Sequence, residues 1–489
     1  MIIGAGLGGL AAAIRLGARG FRITLLERLD APGGRAYVFR QDGFTFDAGP
    51  TIITAPFLLE ELWALCGRRL EQDVELRPLD PFYGIRFDDG SVFECSGDPV
   101  RMGEQVRAIA PADIDGYQRF MRESEAIYKI GFEKLGHVPF GSPADMLRIL
   151  PDLLRLGAWR SVHGHVARHV KSPKLRIALS FHPLFIGGNP FKVTAIYSLI
   201  AFLERRFGVH AAIGGTGRLV ESLARLIASQ GGVIRCGKEV VEILCKAGTT
   251  CGVRLASGEE IASDIVVSNA DPAQTYRRLL PGPARKRWTN RRIDRARYSM
   301  SLFVWYFGTR RRFPGVRHHT IIMGPRYREL LHDIFKRKVL AEDFSLYLHR
   351  PTASDPSLAP DGCDSFYVLS PVPNQDSGID WSRQAEPYRL AIARRLEETL
   401  MAGFEQDIVT SKVMTPDDFE RRLLSFKGAA FGLEPVLTQS AWFRPNNRSE
   451  EIRNLFLVGA GTHPGAGIPG VLSSARILDT VVPDAAQFA

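Results

Sequence analysis

The chain opens with a glycine pattern, Gly4-x-Gly6-x-x-Gly9, and this pattern restricts the fold more than any other feature. The apolar residues before it predict the end of a strand, and the stretch rich in alanine and leucine after it predicts a helix. In such a unit the first glycine permits a tight turn, the second lets the backbone approach a diphosphate, and the third lets helix and strand pack closely. The next predicted strand, 21–27, closes on Glu27, a carboxylate placed to accept hydrogen bonds from a ribose hydroxyl. The pattern therefore predicts a Rossmann-like dinucleotide-binding unit.

The residues that follow favour one class of dinucleotide. A carboxylate at the ribose position repels a 2′-phosphate, so FAD or NAD is favoured over NADP. Arg35 can pair with a phosphate, and the glycine before it lets backbone amides approach an anion. The segment GFTFDAGPT, 43–51, ends in a turn that a long flavin lying across the fold needs and a simple nicotinamide dehydrogenase does not. We therefore expect FAD, with contacts from Gly34, Arg35, Gly49, Pro50 and Thr51.

A second glycine-rich loop lies near the other end of the chain, within 454–482. An apolar predicted strand, 455–458, leads into it, and helical spacing resumes at Val471. Small residues and a helix N-terminus can lie against a flat ring and hydrogen-bond its carbonyl groups. The spacing differs from that of the first loop, so we expect the two loops to hold one ligand from opposite sides. The contacts expected from this loop are Gly459, Gly461, Gly467 and Ile468.

Several motifs form a pattern that spans nearly the whole chain. They are GAGLGGLAAAIRL, PGGRAYVF and GFTFDAGPT near the start, FHPLFIGGNPF at 181–191, GGTGRLVESLARL at 214–226, GPRYREL at 324–330, EPVLTQSAWFRP at 434–445 and LVGAGTHPGAGIPGVLSSA near the end. This pattern resembles the bacterial phytoene desaturase family of carotenoid biosynthesis. The resemblance implies an FAD-dependent oxidoreductase that dehydrogenates phytoene, a C40 polyene, stepwise to lycopene or neurosporene. Only three residues precede Gly4, fewer than in relatives, so we expect a short first strand.

The resemblance also implies a discontinuous architecture. An α/β, Rossmann-like FAD-binding domain is expected from 1–75, 210–275 and 425–489, and an α+β domain that binds substrate and associates with a membrane from 76–209 and 276–424. The 76–209 part is predicted to be helical, and the later part to mix strands and helices. A strand through Val240 is implied to pass near the adenine end of the cofactor.

The implied reaction needs positioning and a dry tunnel rather than a metal or a strong acid–base pair. One hydrogen leaves as hydride to the flavin, and the other leaves as a proton to a weak base or water. Asp145 and Arg148 are three residues apart on a predicted helix and share a face. The resemblance extends to the DMLR tetrapeptide that contains them, so we name them as candidate catalytic residues; the alternative is a surface ion pair. Aromatic candidates for the tunnel, or simply for the core, are Phe181, Phe185, Phe191, Trp442 and Phe443.

Other residue groups predict partners less directly. His163, His165 and His169 cluster, but no cysteine or carboxylate stands at ligand spacing, so we expect surface histidines and no metal. The basic cluster 285–297 has no nucleic-acid module beside it, and no nucleic-acid partner is expected. The sequence contains one dinucleotide fingerprint and no CxxC pair, which leaves oxygen or a membrane quinone as electron acceptor.

The charge pattern bears on location. The net charge is +10, and the stretches 145–170 and 324–338 are amphipathic and rich in arginine. Such helices can lie on an anionic membrane, although ordinary surface helices look the same. No apolar run reaches the roughly 18 residues of a spanning helix, no signal peptide fits before Gly4, and the scattered cysteines are typical of a reducing compartment. We expect a peripheral protein on the cytoplasmic face of a membrane, of undetermined oligomeric state.

Related functions remain open at this point. A carotenoid isomerase, a carotenoid oxygenase and an amine oxidase are flavoenzymes of the same shape, and a non-catalytic prenyl-lipid carrier resembles the same fold. Such a carrier would bind prenyl chains and no flavin. The intact glycine loops at both ends of the chain argue against a carrier.

Overall fold

A computed structural model describes residues 1–280 and 285–488. Its centre is a five-stranded parallel sheet whose strands come from three distant parts of the chain. Their order across the sheet is Leu455–Leu457, Val266–Ser268, Ile2–Ile3, Thr24–Leu26 and Val233–Arg235. The first strand of the chain has two residues, Ile2 and Ile3, and takes the central position. This sheet confirms the predicted α/β class; the domain boundaries stay a prediction.

The first and last helices of this unit lie against each other. Leu7–Ala18 packs on Ile468–Arg476 and on Gly215–Ser229. Arg15 is buried within the first helix, and its guanidinium contacts Glu61 at 3.0 Å and Asp479 at 2.7 Å. A buried cation needs such partners, so the pairing joins the two ends of the chain.

A larger mixed sheet of seven strands stands beside the parallel one. Its order is Ile408–Met414, Ser301–Thr309, Asp364–Val372, Leu346–His349, His319–Ile322, Tyr83–Arg86 and Val92–Cys95. Every neighbouring pair is antiparallel except Tyr83–Arg86 with His319–Ile322. The prediction that 76–209 is helical is therefore wrong at its start, because two short strands there complete the edge of this sheet.

The remaining strands form smaller units. Val240–Lys246, Thr249–Leu255 and Glu260–Ala262 make an antiparallel sheet, and Val38–Gln41 pairs with Phe44–Asp47, as Leu76–Pro78 does with His210–Ala212. The α-helices are Leu7–Ala18, Phe57–Ala64, Pro99–Ile109, Ile114–Tyr128, Pro143–Arg155, Val162–Val166, Pro173–Ser180, Leu199–Phe207, Gly215–Ser229, Pro272–Gln274, Asn290–Arg295, Tyr327–His332, Trp381–Thr399, Pro416–Leu423, Ile468–Arg476 and Leu478–Val481. Within the described ranges, none of these helices is both long and apolar enough to cross a bilayer.

Candidate active site

A cavity of about 800 Å³ opens at the carboxyl ends of the parallel strands. Three of these strands are followed at once by a residue that lines the cavity: Gly4, Glu27 and Asn269. The strand Leu455–Leu457 is followed by Val458 and then by Gly459, which also lines the cavity. The chain leaves the central strand first toward one edge of the sheet and later returns on the other side. Ligands of open α/β sheets bind at such a reversal of strand order, so the topology alone places a binding site here.

The two glycine loops touch each other at the base of this cavity. A Cβ atom on Gly8 would lie 3.0 Å from the Cα of Gly459 and 2.5 Å from the amide oxygen of Asn269. A Cβ on Gly9 would lie 2.0 Å from the carbonyl oxygen of Gly4. Gly9 therefore permits the close helix–strand packing expected of it, and it does not line the cavity.

The groups at this base suit a diphosphate. The helix Leu7–Ala18 begins beside the cavity with Gly6 at its N-cap and no capping side chain, which leaves its first N–H groups for an anion. Gly34 lies so close to Gly6 that a Cβ on it would stand 3.0 Å from the Gly6 Cα. Beside it, the guanidinium of Arg35 donates to the Ser425 hydroxyl at 2.7 Å, and its buried Nε atom has no hydrogen-bond partner among the described residues.

Burial lowers the pKa of Arg35, and the nearby Asp271 works in the opposite direction. A buried cation with an unpartnered N–H, beside an uncapped helix start, is a donor set that an anionic ligand would satisfy. The site therefore fits the diphosphate of FAD by its own chemistry.

Glu27 is buried, and its carboxylate makes hydrogen bonds within the protein. Its carboxylate accepts hydrogen bonds from the backbone N–H of Ala5 at 2.7 Å and of Leu29 at 2.9 Å. Each carboxylate oxygen has a second acceptor site, so these bonds are compatible with a ribose hydroxyl. Glu27 thus holds the first glycine loop in place and faces the cavity as well.

The other predicted cofactor contacts separate into two groups. Gly459, Gly467 and Ile468 line the cavity, and so do Gly49, Pro50, Thr51 and Val240. Gly461 is not among the lining residues. A Cβ at that position would lie 2.1 Å from the Pro272 ring, so its glycine permits loop packing rather than cofactor contact. The binding roles of the lining residues stay predictions.

The far half of the cavity is apolar. It is lined by side chains from the helical segments and the seven-stranded sheet, including Met146, Ile149, Leu153, Phe181, Phe185, Ile200, Leu203, Leu302 and Leu369. Phe191, Trp442 and Phe443 are not among its lining residues. A few hydroxyl groups interrupt this surface: the Thr51 hydroxyl lies 2.7 Å from that of Tyr367 and 3.1 Å from that of Tyr347. Burial raises the pKa of both phenols, so they stay protonated.

Comparison with known proteins assigns the family. The profile of the flavin containing amine oxidoreductases matches residues 7–477. The chain is 50% identical to the neurosporene-forming phytoene desaturase of Rhodobacter capsulatus, covering 99% of this chain and 94% of the relative. It is 49% identical to the lycopene-forming phytoene desaturase of Pantoea ananas, covering 97% of each.

The chain belongs to the phytoene desaturase family. This agrees with the resemblance drawn from the motifs, and with FAD as the cofactor and an oxidoreductase as the enzyme class. Among solved structures, a putrescine oxidase matches with a TM-score of 0.66 at 13% identity over 97% of this chain and 95% of that one. An oxidoreductase of Methanosarcina mazei matches with a TM-score of 0.63 at 18% identity over 98% and 99%. Both likenesses concern the fold alone.

Asp145 and Arg148, the candidate catalytic pair of this phytoene desaturase family member, lie away from the cavity lining. Asp145 accepts hydrogen bonds from the Ser142 backbone N–H and hydroxyl, both at 2.9 Å, in a capping box that starts the helix Pro143–Arg155. The Arg148 side chain is 78% exposed and stands 3.6 Å from Asp145. Their catalytic role stays a prediction, and the described geometry gives it no contact with the cavity.

The histidine cluster differs from expectation. His165 and His169 have side chains only 2% and 6% exposed, and they lie 3.6 and 3.2 Å from a carboxylate oxygen of Glu123. His163 packs on the Phe191 ring with centroids 4.4 Å apart. The prediction of surface histidines is wrong, because the helix Ile114–Tyr128 covers two of them and brings in a carboxylate distant in sequence.

Sequence reasoning missed several groups around the loops. Asn269 donates to the Gly4 carbonyl at 3.2 Å, and Asp271 lies near Arg35. Both follow the strand Val266–Ser268, so their place at a carboxyl strand end was a usable signal. Arg444 is 1% exposed and donates to the carbonyl of Ala460 at 3.2 Å. No local pattern predicts this contact, since it depends on how the last loop folds back.

Proposed function

We propose that the protein is an FAD-dependent desaturase that removes hydrogen pairs from phytoene to form neurosporene or lycopene. The observation that carries the proposal is one continuous cavity with two unlike halves. One half is built from glycine loops at the carboxyl edge of the parallel sheet, and the other is lined by leucine, isoleucine, methionine and phenylalanine side chains. The half built from glycine loops suits a flavin dinucleotide by its chemistry, and the apolar half suits a hydrocarbon. The names of the relatives at 50% and 49% identity support the same reaction.

The cofactor half binds and orients. When bound, FAD supplies a ring that accepts hydride from a saturated carbon–carbon bond. The start of the helix Leu7–Ala18 and Arg35 hold the diphosphate, and Glu27 holds the ribose. Gly467 and Ile468 lie where small residues and a helix start can bound the ring. These residues fix the position of the cofactor and leave the chemistry to it.

The apolar half orients the substrate and excludes water. A polyene offers no polar group for a specific hydrogen bond, so its position depends on the shape of the wall and on apolar burial. The neurosporene-forming and lycopene-forming relatives are 50% and 49% identical to this chain, so overall similarity does not choose between three and four desaturation steps. The hydroxyls of Thr51, Tyr347 and Tyr367 are polar groups on this otherwise apolar wall.

The function is tested with purified, FAD-loaded protein and phytoene in liposomes. We expect the colourless substrate to give products with the absorption spectrum and mass of neurosporene or lycopene. Protein that has lost its flavin is the control and should leave phytoene unchanged. A flavin-loaded preparation that leaves phytoene intact, or only isomerises it, would contradict the proposal.

We further propose that the protein works on the cytoplasmic face of a membrane and docks through the helix Pro143–Arg155. Its inner residues Met146, Ile149 and Leu153 line the cavity. Its outer residues Leu147 and Leu154 are 70% and 55% exposed, and nearby Trp159 is 58% exposed. An apolar outer face flanked by arginines is typical of interfacial helices. A lipid-soluble substrate would then pass from the membrane to the cavity across one helix.

Liposome co-sedimentation tests the docking. The triple change Leu147→Ser, Leu154→Ser and Trp159→Ser should reduce binding to anionic liposomes about tenfold or more, given about 0.8 kcal/mol per buried methylene. The control is Leu390→Ser, at a leucine that is 45% exposed elsewhere on the surface. FAD content should be the same in both. Equal liposome binding by the two variants would count against this surface.

The electron acceptor is proposed to be oxygen or a membrane quinone. The single dinucleotide fingerprint and the lack of a CxxC pair support this choice. Turnover under anaerobic conditions with quinone in the liposomes, compared with turnover in air, separates the two acceptors. Turnover that requires NADP instead would contradict both.

A further inference from the structure

Three histidines meet behind the cavity wall, in a part of the seven-stranded sheet that the proposed reaction does not use. His319 and His349 are direct partners across the strands His319–Ile322 and Leu346–His349. His318 precedes the first of these strands, and its Nε2 atom lies 3.1 Å from the Nε2 of His349. One ring nitrogen from each of the three lies within 4.8 Å of the others. This spacing is within reach of a single ion.

Two of the six ring nitrogens in this cluster have no hydrogen-bond partner within the described chain. His319 and His349 are 0% and 1% exposed, yet the Nε2 of His319 and the Nδ1 of His349 make no hydrogen bond. Buried polar atoms are almost always satisfied, and leaving one unpaired costs about 1–3 kcal/mol. Unpaired nitrogens on neighbouring imidazoles need an explanation that packing does not provide.

Two further ring nitrogens, one on His318 and one on His319, have hydrogen-bond partners of the kind found in metal sites. The Nδ1 of His319 lies 2.7 Å from the Tyr347 hydroxyl, and the Nδ1 of His318 lies 2.7 Å from the Ser354 hydroxyl. In metal centres the second ring nitrogen of a ligating histidine is usually hydrogen-bonded, which orients the ring and leaves the first nitrogen with its lone pair. Two of the three rings meet this condition.

Two carboxyl groups near the histidine cluster favour the binding of a cation there. A void of about 20 Å³ touches His318 and His349 and is also lined by Asp47 and Asp355. Burial raises the pKa of Asp47 to about 6, hydrogen bonds from Thr216 lower it, and the nearness of Asp355 adds to the increase. Two carboxyl groups next to a void offset the charge of an ion.

We propose that His318, His319 and His349 bind one divalent transition-metal ion, with zinc as the best-suited ion. Neutral imidazoles are preferred ligands of zinc, copper and nickel, and three histidines with an open fourth position are an established zinc arrangement. The ion ties the two strands to the segment that carries Ser354. Through Tyr347, which lies 3.1 Å from Thr51, it also supports the wall of the substrate cavity.

A second group, Glu123, His165 and His169, has similar spacing. It offers only two imidazoles, and its carboxylate is 48% exposed. Neither ring nitrogen of His165 has a hydrogen-bond partner among the described residues, so no outer side chain orients that ring. We therefore assign the ion to the first group and use the second as a matched control.

The test measures metal binding without substrate. Untagged protein is stripped with a chelator, dialysed and titrated with zinc by calorimetry, and with cobalt by visible absorption. We expect about one zinc per chain, bound with a rise in the midpoint of thermal unfolding. His319→Gln and His349→Gln should lose this binding, while His165→Gln and the exposed His332→Gln should retain it.

Two results would overturn the assignment. One is a stripped protein that binds no zinc, and the other is binding lost in His165→Gln but retained in His349→Gln. FAD content checks that each variant is folded. Should His319→Gln fail to fold, His318→Gln replaces it, because that side chain is partly exposed and its change disturbs the core least. Failure of desaturation leaves these outcomes unchanged, since no substrate is present.

Discussion

The two halves of the cavity are built by different parts of the protein. The cofactor half is shaped mainly by backbone. Its glycines stand where a Cβ would collide with a neighbour, a helix begins beside the cavity, and the Glu27 carboxylate holds the first loop. The substrate half depends on side chains from a helix near residue 149, a strand near residue 302 and another near residue 369. The first half follows short stretches of sequence, whereas the second exists only when distant segments come together.

This difference teaches where each half is vulnerable. In the cofactor half a Cβ added to a glycine meets close neighbours, several of them backbone atoms, so small changes have large effects. In the apolar half the walls are flexible side chains, and a change of shape alters fit by degrees. Substitutions in the two halves should therefore separate cofactor retention from substrate turnover.

The largest effect is expected from Gly467→Val. Gly467 has φ +91° and lines the cavity, and a Cβ there would lie 3.2 Å from the Ile186 side chain. A β-branched residue strains this backbone by about 1–3 kcal/mol and intrudes on the cofactor. We expect purified protein without visible flavin absorbance.

Gly20→Val is the matched control for that change. Gly20 has φ +86° with nothing within 4 Å of an added Cβ, so it imposes similar strain away from the cavity. It should keep its flavin. Equal flavin content in the two variants would contradict the assignment of Gly467 to the cofactor site.

Glu27→Ala should have the next largest effect, and on two properties at once. The change leaves the N–H groups of Ala5 and Leu29 without their acceptor, which lowers the free energy of unfolding by about 1–3 kcal/mol. It should also weaken FAD binding, because the first loop loses its support. Denaturant unfolding of the apoprotein and FAD titration measure the two; stability unchanged from wild type would contradict the loop-holding role. Glu27→Gln, which keeps one acceptor, should fall between.

Ile149→Trp tests the substrate half. Ile149 is 8% exposed and lines the cavity, so a larger side chain narrows it. We expect about a tenfold loss of phytoene turnover, equal to about 1.4 kcal/mol, with full FAD content. Leu150→Trp, on the exposed side of the same helix, should turn over phytoene normally. A loss of flavin in Ile149→Trp would contradict the idea that the apolar half affects turnover without affecting cofactor binding.

The smallest effects are expected at Asp145 and Arg148. Asp145→Ala removes the capping box and should lower the free energy of unfolding by about 1 kcal/mol, with kcat within about twofold of wild type by this geometry. Arg148→Ala should change neither property. A large loss of kcat with normal stability would instead support the catalytic role predicted from the motif.

Part of the site could be predicted from sequence because its determinants are local. The first glycine loop and Glu27 belong to one strand–helix–strand unit, and Arg35 follows it closely in sequence. Their residue types and spacing therefore predict a diphosphate and a ribose contact. Gly461 was assigned to the cofactor on the same reasoning, yet it packs on Pro272. The glycine spacing shows that a side chain is not tolerated there, but it does not show which neighbour excludes it.

The sequence by itself predicted the dinucleotide-binding unit, because glycine spacing and strand–helix order are read along the chain. Its motifs also carried the resemblance that implied the family and its reaction. Only the tertiary structure decided that the two glycine loops touch, that the Asp145 side chain caps its helix instead of lining the cavity, and that Glu123 meets His165 and His169. It alone also brought His318, His319 and His349 together with Ser354 and Tyr347. Contacts between strands and helices far apart in sequence depend on packing, and packing leaves no fixed spacing to read.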